Sequence, residues 1–238
     1  MTIPAEQKVS KSTEIGFNLE NKVYVWELPV RVFHWINAIC ILILFLTGLL
    51  IGSGYVGAFA TEDPATSMAM IMVIISHYIT AIIFTINLLV RLYWVAKGND
   101  YAKSNPFTRT FWKGVWETTK FYLFLDNKKE HKLGHNELAQ LSYWIFIGAG
   151  SIMMILSGYF LLTEPNRNSI IGLITGWIPQ IFGLSSVTIR SMHHLLSWGI
   201  VIFTLIHIYM ALRESWLNKN GTMTSIFTGF KTENHDNL

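Results

Sequence analysis

The sequence predicts an all-α membrane protein in which four transmembrane helices form one bundle and an amphipathic helix lies on the membrane surface. Charged residues make up only 14% of the 238 residues, whereas a soluble domain carries about 25%. Four apolar runs are each long enough to cross a bilayer as a helix, which takes about 20 residues. The predicted spans cover residues 32–54, 67–95, 138–162 and 191–213. The whole chain, residues 1–238, is expected to form a single integral membrane domain.

The lysines and arginines indicate how these spans are oriented. Sixteen of the 18 lie before or at the start of the first span, between the last turn of the second span and the start of the third, or from the last turn of the fourth span onward. Positive residues near membrane helices are enriched on the cytoplasmic side. Both termini and the central loop are therefore expected to be cytoplasmic. The first twenty residues show no basic stretch followed by an apolar core, so the first span is expected to direct insertion.

Two other segments need an assignment. Residues 168–189 are uncharged and could form a fifth span, but three glycines and a proline argue against a regular helix. We predict an external loop there, part of which lies at the membrane interface.

Within residues 107–125, aromatic residues alternate with Arg109, Lys113 and Lys120. This composition predicts the amphipathic helix, lying on the membrane surface in the cytoplasmic loop.

Five histidines lie in or at the ends of the apolar runs: His34, His77, His193, His194 and His207. Ionisable groups inside a membrane are costly and usually functional, and a neutral imidazole is a good axial ligand for haem iron. His193 and His207 are 14 residues apart, which places them about 40° from a common helix face. His194 lies about 140° away from His207. His193 rather than His194 is therefore expected to share a face with His207.

The predicted topology arranges four of these histidines in two pairs. With four spans, His77 lies beside His193 near the external surface, and His34 lies beside His207 near the cytoplasmic surface. Two such pairs would hold two haems. A five-span chain would instead pair His193 with His34 and His207 with His77. The distribution of positive charge favours the four-span arrangement.

Other interpretations of the same residues remain open. The histidines could be satisfied by hydroxyl or backbone partners, or could belong to a metal transporter or a proton relay. The predicted spans contain no acidic residue, although such paths usually add carboxylates. The single cysteine, Cys40, excludes an intramolecular disulfide and a cysteine-based cluster. Gly48 and Gly52 allow close approach of a neighbouring helix or of a flat macrocycle.

Six motifs carry a resemblance to a known family: Arg31-Val-Phe-His34-Trp35, Arg91-Leu-Tyr-Trp94, Trp112-Lys-Gly-Val-Trp116, Tyr122-Leu-Phe-Leu125, Gly134-His-Asn-Glu-Leu-Ala-Gln140 and His207-Ile-Tyr-Met-Ala-Leu-Arg-Glu214. In order and spacing they resemble the b-type cytochrome subunit of membrane-bound nickel–iron uptake hydrogenases. The resemblance extends from about Val23 to Phe230.

This resemblance implies a di-haem electron-transfer subunit in the bacterial inner membrane. In that family a large nickel–iron subunit oxidises hydrogen, and a small iron–sulfur subunit passes electrons to an outer haem b. An inner haem b then delivers them to a membrane quinone. His34, His77, His193 and His207 match the family's four ligand positions. The hydrogen chemistry would lie in the partner subunits, and no nucleic-acid partner is expected.

The resemblance is not complete, and some roles stay open. Ser191 stands where a family member has a histidine, and His194 is additional, so His194 is an alternative to His193. A stand-alone or formate-dehydrogenase-type di-haem quinone-reducing cytochrome is an alternative function. Three residues at the mouth of the third span could serve a quinone site or simply start the helix: His135, Asn136 and Gln140. By charge alone, Arg31 or Arg190 could bind a haem propionate.

Overall fold

A computed structural model describes residues 22–53, 68–99, 107–123, 125–126, 134, 136–164, 168–182, 185–218 and 221–232. Its longest helices are α1 (Leu28–Ser53), α2 (Met68–Lys97) and α8 (Ser186–Asn218). One further long helix is built from α4 (Glu137–Tyr143), a π-helix (Trp144–Ala149) and α5 (Gly150–Thr163). The shorter elements are α3 (Arg109–Tyr122), α6 (Ile170–Thr175), α7 (Ile178–Phe182), α9 (Thr222–Thr228), β1 (Lys22–Tyr24) and β2 (Phe230–Thr232).

Four helices in the described ranges are long and apolar enough to cross a membrane, which confirms the predicted number of spans. They are α1, α2, the combined helix Glu137–Thr163, and α8. The segment that could have formed a fifth span contains the two short helices α6 and α7 instead. Ser169 begins α6, because its hydroxyl accepts a hydrogen bond from the Gly172 N–H at 3.1 Å.

Consecutive spans run in opposite directions, so the bundle has two ends. The His34 end contains the start of α1, the end of α2, the start of α4 and the end of α8. The His77 end contains the opposite ends of the same helices. α8 is longer than the predicted run 191–213, because hydropathy measures only the hydrocarbon layer and a helix can continue into the interface.

The outer faces of the spans are apolar, whereas polar side chains lie between helices. Leu42, Ile79 and Leu205 are each more than half exposed in the isolated chain, as expected for side chains that meet lipid. Asn87 is buried between α1 and α2, and its amide donates a hydrogen bond to the Phe33 carbonyl at 3.1 Å. A buried amide needs such a partner, and this one joins α2 to the first turns of α1.

The two ends of the described chain meet at the His34 end. Strands β1 and β2 pair antiparallel, with Val23 opposite Lys231. The buried Trp26 indole donates to the Ser225 hydroxyl at 3.1 Å. Gly229 ends α9 with a φ of 90°, and its carbonyl accepts the N–H groups of Val25 and Trp26. We call β1, residues 25–27, α9 and β2 the terminal clasp.

Glu27 connects this clasp to the second span. Its carboxylate accepts hydrogen bonds from the Trp94 indole and from the Asn99 backbone, both at 3.0 Å. The Asn99 amide in turn donates to the Val25 carbonyl at 2.9 Å. The entry to α1 and the exit of α2 are therefore held together by hydrogen bonds to a charged group, which are stronger than neutral ones.

Helix α3 forms inside the segment that was predicted to be an amphipathic helix. Thr108 caps its start by accepting the Phe111 N–H at 3.3 Å. The buried Phe111 ring stacks on Trp144, with ring centroids 5.6 Å apart. Trp112 and Trp116 are more than half exposed on the other side of the helix. One face of α3 thus packs on the third span and another presents aromatic residues outward.

Candidate functional site

At the His34 end, the structure brings the imidazole rings of His34 of α1 and His207 of α8 next to each other. Their ring centroids are 6.2 Å apart and the rings are inclined by 57°. A metal–imidazole bond is about 2 Å long, and the centre of an imidazole ring lies about 1.1 Å from its nitrogens for ring bonds near 1.33 Å. Two imidazoles on opposite sides of one metal ion therefore have centroids about 6 Å apart. The observed spacing fits a single ion held between the two rings.

The surroundings of these two rings differ. The Tyr143 hydroxyl lies 3.0 Å from Nδ1 of His207, and the Phe203 ring stacks on His207 with centroids 6.1 Å apart. Nδ1 of His34 is buried and has no hydrogen-bond partner among the described residues, and Trp35 contacts the ring edge-on, with ring centroids 5.2 Å apart. Within that part of the chain, a hydroxyl therefore orients the imidazole of His207, whereas aromatic packing surrounds that of His34.

At the other end of the bundle, His77 and His193 line one cavity of about 260 Å³, together with His194 and Arg190. The remaining lining is mostly aliphatic and aromatic, with residues from all four spans. Glycine allows the histidine rings to approach the neighbouring helices. A Cβ at Gly48 would lie 3.5 Å from the His77 ring, and one at Gly158 would lie 3.3 Å from the His193 ring.

Two hydroxyl groups contact these histidines, and the sequence analysis did not identify them. Thr47 Oγ1 lies 2.8 Å from Nδ1 of His77, and Ser157 Oγ lies 2.8 Å from Nδ1 of His193. A metal-binding histidine usually uses its second ring nitrogen in such a hydrogen bond, which fixes the ring and its tautomer. A spacing could have pointed to Ser157: it is 14 residues from Tyr143, just as His193 is 14 from His207.

The adjacent histidine, His194, has different contacts. Within the described part of the chain no hydrogen bond to its imidazole is found, although its carbonyl accepts the Ser197 hydroxyl at 2.7 Å. The ring packs against Gly52, where a Cβ would lie only 2.4 Å from the His194 Cε1. The space left by the missing side chain of Gly52 is therefore occupied by the His194 ring. His193 faces the third span and His194 faces the first.

The residues present fit an iron-porphyrin better than a free metal ion. Each end offers a pair of imidazoles in an apolar setting, which suits haem iron with two axial ligands. Among the described residues, no group of three or more histidine, cysteine or acidic side chains could hold a bare metal ion. The arrangement also places the two histidine pairs at opposite ends of one bundle.

The remaining predicted site residues are placed as follows. Asn136 caps the third span, because its side chain accepts the Ala139 N–H at 2.8 Å, and Gln140 is buried one turn later. His135 lies outside the described residues. Arg31 donates a hydrogen bond to the Phe227 carbonyl in the clasp. Arg190 is paired with Glu164 at 3.1 Å, at the His77 end.

Comparisons with known proteins give a consistent result. Residues 25–229 match the family model described as prokaryotic cytochrome b561. A "Probable Ni/Fe-hydrogenase B-type cytochrome subunit" from Cupriavidus necator is 33% identical over 214 residues, covering 88% of this chain and 86% of the relative. A protein of the same name from Azotobacter vinelandii is 30% identical, with 94% and 96% covered. The "Probable Ni/Fe-hydrogenase 1 B-type cytochrome subunit" of Escherichia coli K12 is 31% identical, with 88% and 90% covered.

Proposed function

The chain belongs to the prokaryotic cytochrome b561 family, and from that premise we propose that it is the membrane subunit of a nickel–iron hydrogenase. In this role it carries two b-type haems and passes electrons from the small iron–sulfur subunit to a membrane quinone. The relatives are named as subunits of nickel–iron hydrogenases, and this association is proposed for the present chain as well. The large nickel–iron subunit would oxidise hydrogen outside the bundle.

One observation carries the proposal: the bundle has a histidine pair at each end. His34 and His207 have ring centroids 6.2 Å apart, and His77 and His193 line a common cavity. We propose these four residues as axial ligands, His77 with His193 for an outer haem and His34 with His207 for an inner one. Bound haem b would supply one-electron transfer, which needs neither a nucleophile nor a general base in this chain.

The side chains around each pair would orient the ligands and exclude water. Ser157 and Thr47 hold the imidazoles of His193 and His77, and Tyr143 contacts His207. The aromatic rings of Phe203 and Trp35 cover the inner pair and keep its surroundings apolar. Low polarity and hydrogen bonds to the ligands are the means by which a protein adjusts the reduction potential of a haem.

We propose that the chain lies in the bacterial inner membrane with both termini in the cytoplasm. The support is the excess of lysine and arginine in the two terminal segments and the central loop of the sequence. In this orientation the outer pair is near the periplasmic surface, where the hydrogenase subunits would dock. Quinone would then be reduced near the His34 end, and the candidates for its site remain His135, Asn136 and Gln140. Of these, Gln140 is the buried side chain next to the bundle.

The proposal is tested by the haem content and by the quinone activity of the complex. Wild-type protein is expected to contain two b haems per chain by pyridine haemochrome. His77→Ala and His193→Ala should each remove one haem and abolish hydrogen-driven quinone reduction, while dye-linked hydrogen oxidation by the partner subunits continues. His194→Ala is the matched control and should keep both haems. Retained quinone activity in His193→Ala, or colourless wild-type protein, would refute the proposal.

A second experiment tests the partner. Gentle solubilisation followed by capture of this chain should recover a nickel-containing enzyme and an iron–sulfur subunit. Capture of a di-haem protein without either of them would favour a stand-alone or formate-dehydrogenase-type quinone-reducing cytochrome.

A further inference from the structure

The two histidines at the His77 end share one hydrogen-bonding arrangement. Nδ1 of His77 lies 2.8 Å from the Thr47 hydroxyl, and Nδ1 of His193 lies 2.8 Å from the Ser157 hydroxyl. Taken alone, such a contact does not reveal its direction, because a hydroxyl can donate or accept and a neutral imidazole can carry its proton on either nitrogen. The direction matters, because it decides which ring nitrogen keeps a lone pair.

The second hydrogen bond of each hydroxyl decides the direction. Thr47 Oγ1 donates to the Ile43 carbonyl at 2.6 Å, and Ser157 Oγ donates to the Met153 carbonyl at 2.7 Å. A hydroxyl has a single hydrogen, and a carbonyl oxygen can only accept. We assign the hydrogen of each hydroxyl to this carbonyl, one turn back in its own helix. With the hydrogen placed there, each hydroxyl oxygen accepts a hydrogen bond from the histidine Nδ1–H.

We propose that Thr47 and Ser157 are positioning residues that hold His77 and His193 as the Nδ1–H tautomer, which leaves the Nε2 lone pair of each for haem iron. The assignment to iron rests on the proposed function, whereas the tautomer rests on the assignment of each hydroxyl hydrogen to its own helix. His194 has no such hydroxyl partner among the described residues and packs on Gly52. Of the two adjacent histidines, only His193 is thus prepared as a ligand.

The two ends of the bundle differ in this respect. Both outer histidines have a hydroxyl at Nδ1, whereas of the inner pair only His207 does, through Tyr143, and Nδ1 of His34 has no hydrogen-bond partner among the described residues. A hydrogen bond from Nδ1–H makes an imidazole a more basic ligand, and a more basic ligand favours ferric iron. The outer site is therefore expected to have the lower reduction potential. Electrons that enter at the His77 end would then move downhill toward the His34 end.

The experiment replaces each hydroxyl in the full-length protein. Thr47→Val and Ser157→Ala are expected to weaken haem binding at the outer site 10–100-fold and to raise the midpoint potential of one haem only. Thr47→Ser and Ser157→Thr keep the hydroxyl and should restore both properties, which separates the hydrogen bond from side-chain volume. Thr204→Val and Ser76→Ala are matched controls, because these hydroxyls also donate one turn back and make no hydrogen bond to a histidine in the described part of the chain.

The tautomer is read independently by ¹⁵N NMR of histidine-labelled, full-length protein before haem is added. His77 and His193 should show the Nδ1–H form in the wild type and a mixture of tautomers in Thr47→Val and Ser157→Ala. Unchanged potentials and unchanged tautomers in those variants would overturn the inference. Equal effects of Thr204→Val would overturn it as well. Wild-type protein that binds no haem would instead refute the proposed function, and the NMR result would still test the tautomer.

Discussion

The Tyr143 hydroxyl lies 3.0 Å from Nδ1 of His207, at the residue where the third span changes from α-helix to π-helix. Fourteen residues along the same span, Ser157 makes the corresponding contact with His193. Because the third and fourth spans are antiparallel, a polar residue on one meets a histidine on the other at each end of the bundle. π-Helical turns often occur at functional sites, and here the π-helix begins directly after Tyr143.

Tyr143→Phe removes the hydroxyl from His207 and is expected to disturb the inner haem site alone. Loss of a hydrogen bond to a ligand typically lowers metal affinity 10–100-fold. Haem content and redox titration of purified protein would measure the effect. Tyr159→Phe is the control, because Tyr159 is on the same span and donates to Thr85 rather than to a histidine. Equal inner-site effects of both variants would contradict the prediction.

Gly52→Ala should displace His194 without removing a ligand. A Cβ at position 52 would lie 2.4 Å from the His194 ring, and overpacking of this kind typically costs about 1–3 kcal/mol of stability. Thermal unfolding in detergent should show a lower midpoint, and His194→Ala in the same chain should restore it. The spectrum of the outer haem should remain unchanged. A changed spectrum in Gly52→Ala would indicate that His194, not His193, binds the iron.

Gly158 and Gly48 line the same cavity but leave different amounts of space for a side chain. A Cβ at Gly158 would lie 3.3 Å from the His193 ring, which is tight, whereas one at Gly48 would lie 3.5 Å from the His77 ring, an ordinary contact. We expect Gly158→Ala to reduce outer haem occupancy and Gly48→Ala to leave it close to normal. Absorbance of the haem per polypeptide measures both. A larger loss of haem in Gly48→Ala than in Gly158→Ala would contradict the prediction that His193 is the more tightly enclosed of the two histidines.

The terminal clasp should depend on Gly229. This residue has a φ of 90°, and a Cβ there would lie 2.5 Å from the Tyr24 ring and 2.8 Å from the Trp26 carbonyl. Gly229→Ala is expected to cost about 1–3 kcal/mol, the usual range for such backbone strain. Gly199→Ala is the control, because no atom of the described residues lies within 4 Å of a Cβ at that position and alanine favours a helix. Thermal unfolding should separate the two variants, and equal midpoints would be inconsistent with a strained Gly229.

Cysteine labelling tests the proposed orientation. The native Cys40 is buried, so the wild type should not react with an impermeant maleimide. In the proposed orientation Lys113→Cys, at the His34 end, should react only in inside-out vesicles. Asn168→Cys, on the other side, should react in intact spheroplasts. The opposite pattern would reverse the topology and with it the assignment of inner and outer histidine pairs.

Much of the architecture could be predicted because membrane helices follow from local composition. Apolar run length predicts a span whatever its neighbours, and alternating direction then places His34 and His207 at one end and His77 and His193 at the other. The separation of His193 and His207 along α8 predicts a common face. The contact between His34 and His207 agrees with that reasoning, while their role as ligands remains a prediction.

Other features could not be predicted, since they depend on how helices are rotated and on how deeply they pack. The spans contain several hydroxyl residues that donate to their own helix, such as Thr85 and Thr204, and composition does not distinguish these from Thr47. The terminal clasp could not be predicted either, because Trp26 and Ser225, which form its buried hydrogen bond, lie 199 residues apart in sequence. Such long-range contacts leave no periodic pattern in the chain.

The sequence by itself determined the number of spans, their alternating direction and the end of the bundle at which His34, His77, His193 and His207 lie, because these depend on hydrophobicity and helical repeat. Only the tertiary structure decided which side chain faces each imidazole: Ser157 for His193, Thr47 for His77 and Tyr143 for His207. The physical reason is that a hydrogen bond requires two atoms within about 3 Å of each other. That distance is set by the packing of one helix against another.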